Sequence, residues 1–237
     1  MDNEGRIKTY VQGFDDILEG GIPPGHVVLL SGTPGSMKSS LGFYVLYNQV
    51  KNEGRTALYV TLEQSRESLI RQMARMGMDI EDVKQNLHVL DLGILRKRLN
   101  EISNQGSWMQ VFKTYLSNLK GSLGFDLIVV DSLDVLETMA GITHRRTELF
   151  YLFEWLRDLG CTVLLISELT QEKMLNGASD EGYLSDGIIS LKMHLVREVE
   201  IQRRVRCLKM RETAHDPSYF SLLFNDGRFQ ITKVISE

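Results

Sequence analysis

The sequence predicts an α/β fold: a mostly parallel β-sheet with helices on both faces and an antiparallel extension at its C-terminal edge. Three observations predict it. Short, continuously apolar runs alternate with segments of helical period as far as Ser167, which is the pattern of βαβ units. Beyond Gly187 the helical period is gone and strand patterns follow one another. A glycine-containing loop, Gly32 to Ser39, joins an apolar run to a helical one, and Glu63, Asp131 and Glu168 end later runs. Open sheets of this kind hold ligands at the carboxyl ends of their strands.

The elements follow in order. Phe14, Ile17 and Leu18 have i, i+3, i+4 spacing and predict a short helical segment, ended by Gly20-Gly21 and turned by Pro23-Pro24-Gly25. Val27 to Leu30 is a strand. From Lys38, the apolar positions Leu41, Tyr44, Val45 and Val50 predict a helix that closes near Glu53-Gly54. Thr56 to Leu62 is β-branched and apolar, a second strand ending at Glu63-Gln64. A helix follows from Ser65 to Met76, with Leu69, Ile70 and Met73 on one face. Leu87 to Leu92 is a third strand.

Arg96–Leu99 and Val111–Leu119 read as helices on either side of a polar link, Ser103 to Ser107. Leu127-Ile128-Val129-Val130 ends in Asp131-Ser132, and continuous apolarity marks a strand buried on both faces. Thr147 to Leu159 is a helix ended by Gly160. Thr162 to Ser167 is another buried strand. Gln171 to Asp186 is polar and glycine-containing and reads as a long mobile loop. Strands then cover Ile188–Val196, Ile201–Met210, Phe220–Phe224 and Phe229–Val234, with Asn225-Asp226-Gly227 as a hairpin turn.

With 237 residues and 43% hydrophobic content, the chain can bury one sizeable core and falls short of two, so a single domain over 1–237 is expected. A net charge of −4 argues against a dedicated nucleic-acid binder. The two cysteines, Cys161 and Cys207, sit in apolar patterns without a Cys-x-x-Cys motif, and read as reduced, buried thiols. No run of about 18 apolar residues predicts a membrane span. Met1 to Arg6 lacks the layout of a signal peptide, and the expected location is the cytoplasm.

The organising stretch is Gly32-Thr33-Pro34-Gly35-Ser36-Met37-Lys38-Ser39 between strand and helix. It matches the P-loop template G-x-x-x-x-G-K-[ST] at all positions but one. Backbone N–H groups and the helix dipole favour a polyphosphate there. The expected nucleotide-binding set is Thr33, Pro34, Gly35, Ser36, Met37, Lys38, Ser39 and Ser40. Lys38 is placed to reach the β- and γ-phosphates and Ser39 to put its hydroxyl on Mg²⁺. Met37 stands where the template has glycine; if that position needs φ > 0, the side chain costs about 1–2 kcal/mol.

Asp131, at the end of a buried strand, fits the acid that holds Mg²⁺ beside a P-loop. Glu63 is the candidate general base, since hydrolysis needs a carboxylate to polarise the attacking water; a solvated residue before a helix is the alternative. Glu168 reads as a solvated loop acid, with sensing of the γ-phosphate as the alternative. Lys209 and Arg211 alternate onto one strand face, with His215 just beyond. Cations so placed ask for an anion, and their distance in sequence from the P-loop suits a nucleotide on a neighbouring subunit. A solvated basic strand is the alternative.

Several segments, in order, resemble one family: Gly13-Phe14-Asp15-Asp16-Ile17-Leu18-Glu19-Gly20-Gly21-Ile22-Pro23, Tyr59-Val60-Thr61-Leu62-Glu63, Val129-Val130-Asp131-Ser132-Leu133, Leu184-Ser185-Asp186-Gly187-Ile188-Ile189, and Lys209-Met210-Arg211 followed by His215-Asp216-Pro217. Together with the P-loop they are similar to the KaiC-like branch of the RecA-type ATPases. The resemblance implies a RecA-like P-loop NTPase core, one KaiC domain, and ATP at the subunit interfaces of a ring, typically a hexamer. It implies that Glu63 matches the catalytic glutamate and that Lys209, Arg211 and His215 reach the neighbour's nucleotide, with Arg211 as a catalytic finger.

Two further departures stand out. The clock proteins of this branch carry paired glutamates where this chain has Glu63-Gln64. Their self-phosphorylated Ser-Thr pair aligns with Gly182 and Tyr183, which argues against that chemistry here. The reading is therefore an ATP- and Mg²⁺-binding protein, a slow ATPase with a regulatory or signalling role through ring assembly or a protein partner. The rivals are a DNA-handling recombinase or helicase and an ATP-binding module without turnover. Against DNA, the 171–186 loop holds Glu172, Asp180, Glu181 and Asp186 against the single Lys173.

Overall fold

The computed structural model of the chain describes residues 5–93, 108–168, 180–197 and 199–234. Its frame is a nine-stranded sheet built from β1 (Val27–Gly32), β2 (Ala57–Thr61), β3 (Leu87–Asp91), β4 (Leu127–Asp131), β5 (Thr162–Ser167), β6 (Gly187–Val196), β7 (Glu200–Met210), β8 (Phe220–Asn225) and β9 (Arg228–Lys233). The spatial order is β3-β2-β4-β5-β1-β6-β7-β8-β9. Pairing is parallel from β3 to β6 and antiparallel from β6 to β9. The mostly parallel sheet with a C-terminal antiparallel extension is thus as the sequence predicted.

Helices cover both faces because the central strands are largely apolar and are buried at every position. Val28 and Leu30 face the side of α1 (Lys38–Glu53) and α2 (Arg66–Arg75), while Val27 and Leu29 face α3 (Trp108–Leu123), α4 (Leu133–Ala140) and α5 (Arg145–Asp158). Successive strand side chains point to opposite faces, so one apolar run feeds two cores. Ser65 caps α2 by accepting from the Ser68 N–H at 3.3 Å.

Several local expectations change. Phe14–Leu18 holds only a 3₁₀ turn, Asp16–Leu18, because Glu19 is left-handed at φ 53° and two glycines follow. Helix α4 was not foreseen: it is short, and its apolar face rests on Leu133 and Leu136 before Gly141 ends it at φ 61°. Part of the polar 171–186 segment is a helix, α6 (Asp180–Leu184), rather than loop. It is fastened by tertiary ion pairs: Arg145 Nη1 donates to the buried Glu181 at 2.8 Å, and the same guanidinium holds Glu137. The Arg96–Leu99 helix, the Ser103–Ser107 link and residues 171–179 lie outside the described residues.

Between β6 and β7 the register shifts: Ile188 pairs with Lys209 but Ile189 with Cys207, leaving Leu208 as the extra residue of a bulge. The bulge lies just before Lys209, and the side chains of Lys209 and Arg211 both reach the 182–186 segment. Arg211 lies beyond the end of β7.

Candidate functional site

The P-loop, Glu63, Asp131 and Glu168 meet at the carboxyl ends of β1, β2, β4 and β5, around a cleft of roughly 400 Å³. Pro34, Gly35, Met37, Lys38, Ser39 and Ser40 line one side; Glu63, Asp131, Ser132 and Glu168 line the other. Parallel register produces this, since every strand in the group ends on the same edge of the sheet.

Within the loop, Gly32 has a packing reason. A Cβ built there would lie 2.2 Å from the Leu191 carbonyl oxygen of the neighbouring β6, so only glycine lets the two strands close. Ser36 Oγ donates to the Thr33 carbonyl at 2.7 Å. Lys38 Nζ donates to the carbonyls of Gly32 at 2.8 Å and Thr33 at 3.1 Å. Met37 adopts φ 73°, ψ 27° at the N-cap of α1, the left-handed conformation the template glycine serves. Its side chain packs against the core on the α1 side, which offsets part of the backbone cost.

The electrostatics follow from burial. Burial lowers the Lys38 ammonium from its ordinary value, while Glu168, Asp131, Glu63 and Asp134 pull the other way. Burial raises the Asp131 carboxyl, with Glu63 adding to it; hydrogen bonds from Tyr59 and Ser39, and the Lys38 charge, oppose the rise. Tyr59 Oη donates to Asp131 Oδ2 at 2.6 Å. Ser132 Oγ donates to Glu63 Oε1 at 2.5 Å, so the exposed carboxylate is held from the neighbouring strand end. The Gln64 side chain instead donates to Ser68 and Gln72 on α2.

Sequence reasoning did not single out Tyr59, Ser132, Asp134, Gln72, Met76 or Arg203 as site residues. Ser132 carried a signal, adjacency to Asp131. Tyr59 carried a weaker one, a phenol inside a buried strand. Arg203 carried none: it reaches the loop only because β7 runs past it, placing Nε 3.4 Å from the Gly35 carbonyl. Asp134 Oδ2 accepts the Glu168 N–H at 2.8 Å, and Glu168 is exposed at the rim of the cleft.

Lys209, Arg211 and His215 do not line this cleft in their own chain. Both cations make contacts within their own chain. Lys209 Nζ donates to the carbonyls of Gly182, Tyr183 and Ser185, the last at 2.6 Å. Arg211 Nη1 donates to Asp186 Oδ1 at 2.6 Å, and its N–H to the Asp186 carbonyl at 2.9 Å. His215 Nδ1 lies 3.1 Å from the Thr213 carbonyl.

The donor set fits a nucleotide triphosphate with magnesium. A lysine ammonium and a helix start face the cleft from one side, and the Ser39 hydroxyl touches a buried carboxylate. Anions are favoured at the first and a hard divalent cation at the second.

Comparison with known proteins agrees with this geometry. A family model described as "ATPase: KaiC" matches residues 7–233. A UPF0273 protein of Methanocaldococcus jannaschii is 30% identical over 221 residues, covering 89% of each chain. The circadian clock protein KaiC2 of Synechocystis is 27% identical over 235 residues; these cover 98% of this chain but only 40% of that protein's length. The crystal structure of a KaiC-like protein from Pyrococcus horikoshii superposes with a TM-score of 0.81 at 25% identity, over 96% of this chain and 99% of that one. The chain belongs to the KaiC ATPase family, with the RecA-type fold and nucleotide-binding character of that family.

Proposed function

We propose that the chain is a slow Mg²⁺-dependent ATPase, a single KaiC domain over 1–237, whose nucleotide state governs assembly or partner binding in a regulatory role. Lys38 holds the β- and γ-phosphates, with Thr33 to Ser40 around them. Ser39 and Asp131 hold Mg²⁺. Glu63 polarises the attacking water and is itself positioned by Ser132. The observation that carries this reading is the convergence of Lys38, Ser39, Asp131 and Glu63 on one cleft from three separate strand ends.

The same reading places ATP between subunits of a cytoplasmic ring, hexameric as in the clock proteins that the sequence resembles. There Lys209, Arg211 and His215 face the neighbour's nucleotide, and Arg211 exchanges its contact with Asp186 for the γ-phosphate in trans. Single glutamate use, with Gln64 turned to α2, supports slow turnover. The net charge of −4 supports a role away from nucleic acid.

The test is phosphate release by the purified chain with and without single-stranded DNA, beside native mass with and without Mg-ATP. ATP-dependent phosphate release that ignores DNA, with a nucleotide-dependent mass, supports the proposal. DNA-stimulated release would favour a recombinase or helicase, and tight ATP binding without release a binding module.

A further inference from the structure

On the face of the antiparallel extension turned away from α1, three cations meet with no acid paired to them among the described residues. Ile189, Leu191, Val205 and Cys207 pack into the core beside α1. Alternation therefore sends Ser190 and Lys192 of β6, and Arg204 and Arg206 of β7, to the opposite face. They are direct cross-strand neighbours: Ser190 pairs with Arg206 and Lys192 with Arg204. Tyr219, just before β8, anchors the group. Lys192 Nζ lies 3.7 Å and Arg206 Cζ 4.6 Å from its ring centroid, and its side chain hydrogen-bonds Ser190.

Such crowding is unfavourable unless something anionic relieves it. Burial lowers the Lys192 ammonium from its ordinary value, and Arg204 and Arg206 lower it further. Among the described residues none of the three makes an ion pair. The Nε–H groups of Arg204 and Arg206 are both buried without a hydrogen-bond partner among the described residues, which a folded chain ordinarily avoids.

We propose that Lys192, Arg204 and Arg206 form a second phosphate-binding site, apart from the P-loop, for the phosphate groups of a small phosphorylated ligand. Guanidinium groups present paired donors that match phosphate oxygens, and a lysine adds a point charge. Three cations balance a di- or triphosphate. A long polyanion fits less well: toward the hairpin tip the next cross-strand pairs on this face, His194 with Gln202 and Val196 with Glu200, add no lysine or arginine and bring an acid, and the chain as a whole repels it at net charge −4. This inference does not depend on the ATPase reading.

The experiment is titration calorimetry with sodium tripolyphosphate on the parent, on Arg204→Gln/Arg206→Gln, and on Lys38→Ala. The parent should bind two equivalents per chain and each variant one. In Lys38→Ala the remaining site should weaken at least tenfold when the two arginine substitutions are added. ATP run beside tripolyphosphate distinguishes a nucleotide from an inorganic source. Equal stoichiometry in the parent and the double arginine variant overturns the proposal, and that comparison stands even if Lys38→Ala does not fold. Tighter binding of an oligothymidylate than of tripolyphosphate at these arginines also overturns it, in favour of nucleic acid.

Discussion

The Ser132 hydroxyl donates to the Glu63 carboxylate at 2.5 Å, tying the end of β4 to the residue that leaves β2. Parallel pairing sets the two strand ends side by side, with Thr61 opposite Asp131. Glu63, two residues after β2, is thereby held at the cleft beside the P-loop instead of being carried off with α2.

Glu63→Gln should keep ATP binding and lower turnover by about 10²–10⁴-fold, the usual contribution of a positioned base. Ser132→Ala should lower it less, by up to about 10²-fold, because only the aim of the carboxylate is lost. Steady-state phosphate release checks both. Full activity in Glu63→Gln would remove its assignment as the base.

Lys38→Ala should weaken ATP binding by about 10²-fold or more, since a hydrogen-bonded charge to the phosphates is removed. Its two present acceptors, the Gly32 and Thr33 carbonyls, lie at the last residue of β1 and the first of the loop, away from the strand's core positions, so the sheet should stay folded. Calorimetry measures the first and circular dichroism the second. Equal ATP affinity in variant and parent contradicts the P-loop assignment.

Met37→Val should cost about 1–2 kcal/mol or more of stability, because a β-branched residue is placed at φ 73°. Met37→Gly should be tolerated, with nucleotide affinity retained, since glycine adopts that conformation freely. Denaturant melts of the two variants decide the point. A stable Val variant beside a failing Gly variant would show that the Met37 side chain, and not its backbone, matters.

Asp186 predicts an acid-side loss of stability. Burial alone would raise its carboxyl, but Arg157, the Val27 N–H and Arg211 outweigh that and hold it below its ordinary 3.8. A carboxylate depressed by folding contributes stability above its unfolded pKa and loses it as pH falls through the folded value. The contribution should therefore fade below pH of about 4. Asp186→Asn should cost about 3 kcal/mol or more at pH 7 and much less in strong acid. Urea melts across that range would contradict this if parent and variant lost stability in parallel.

Arg211 is the test of the ring. Its side chain is 52% exposed while bonded to Asp186, so an approaching phosphate could take it over. Arg211→Ala should leave ATP bound, slow hydrolysis and loosen the oligomer. Mixed with Glu63→Gln subunits, it should regain part of the activity, because some interfaces then combine an intact base with an intact finger. No recovery in a mixture that co-assembles by native mass would show that Arg211 does not act in trans.

By itself the sequence determined the fold class, the family and many of the residues that line the cleft. Continuous apolarity in Leu127–Val130 and Thr162–Ile166 demands burial on both faces, and a strand, glycine loop and Lys-Ser pair in sequence demand a P-loop. These are local patterns, and local patterns survive in a string of residues. What holds the groups in place was decided by tertiary structure. Tyr59 reaches Asp131 across paired strands, Ser132 aims Glu63, and Arg203 touches Gly35 from residues far along the chain. A polar segment became α6 because Arg145 waits for Glu181. The Leu208 bulge shifted the register just before Lys209, and Asp186 claimed Arg211. Each of these depends on strand order, register or a partner distant in sequence, which periodicity along the chain does not encode.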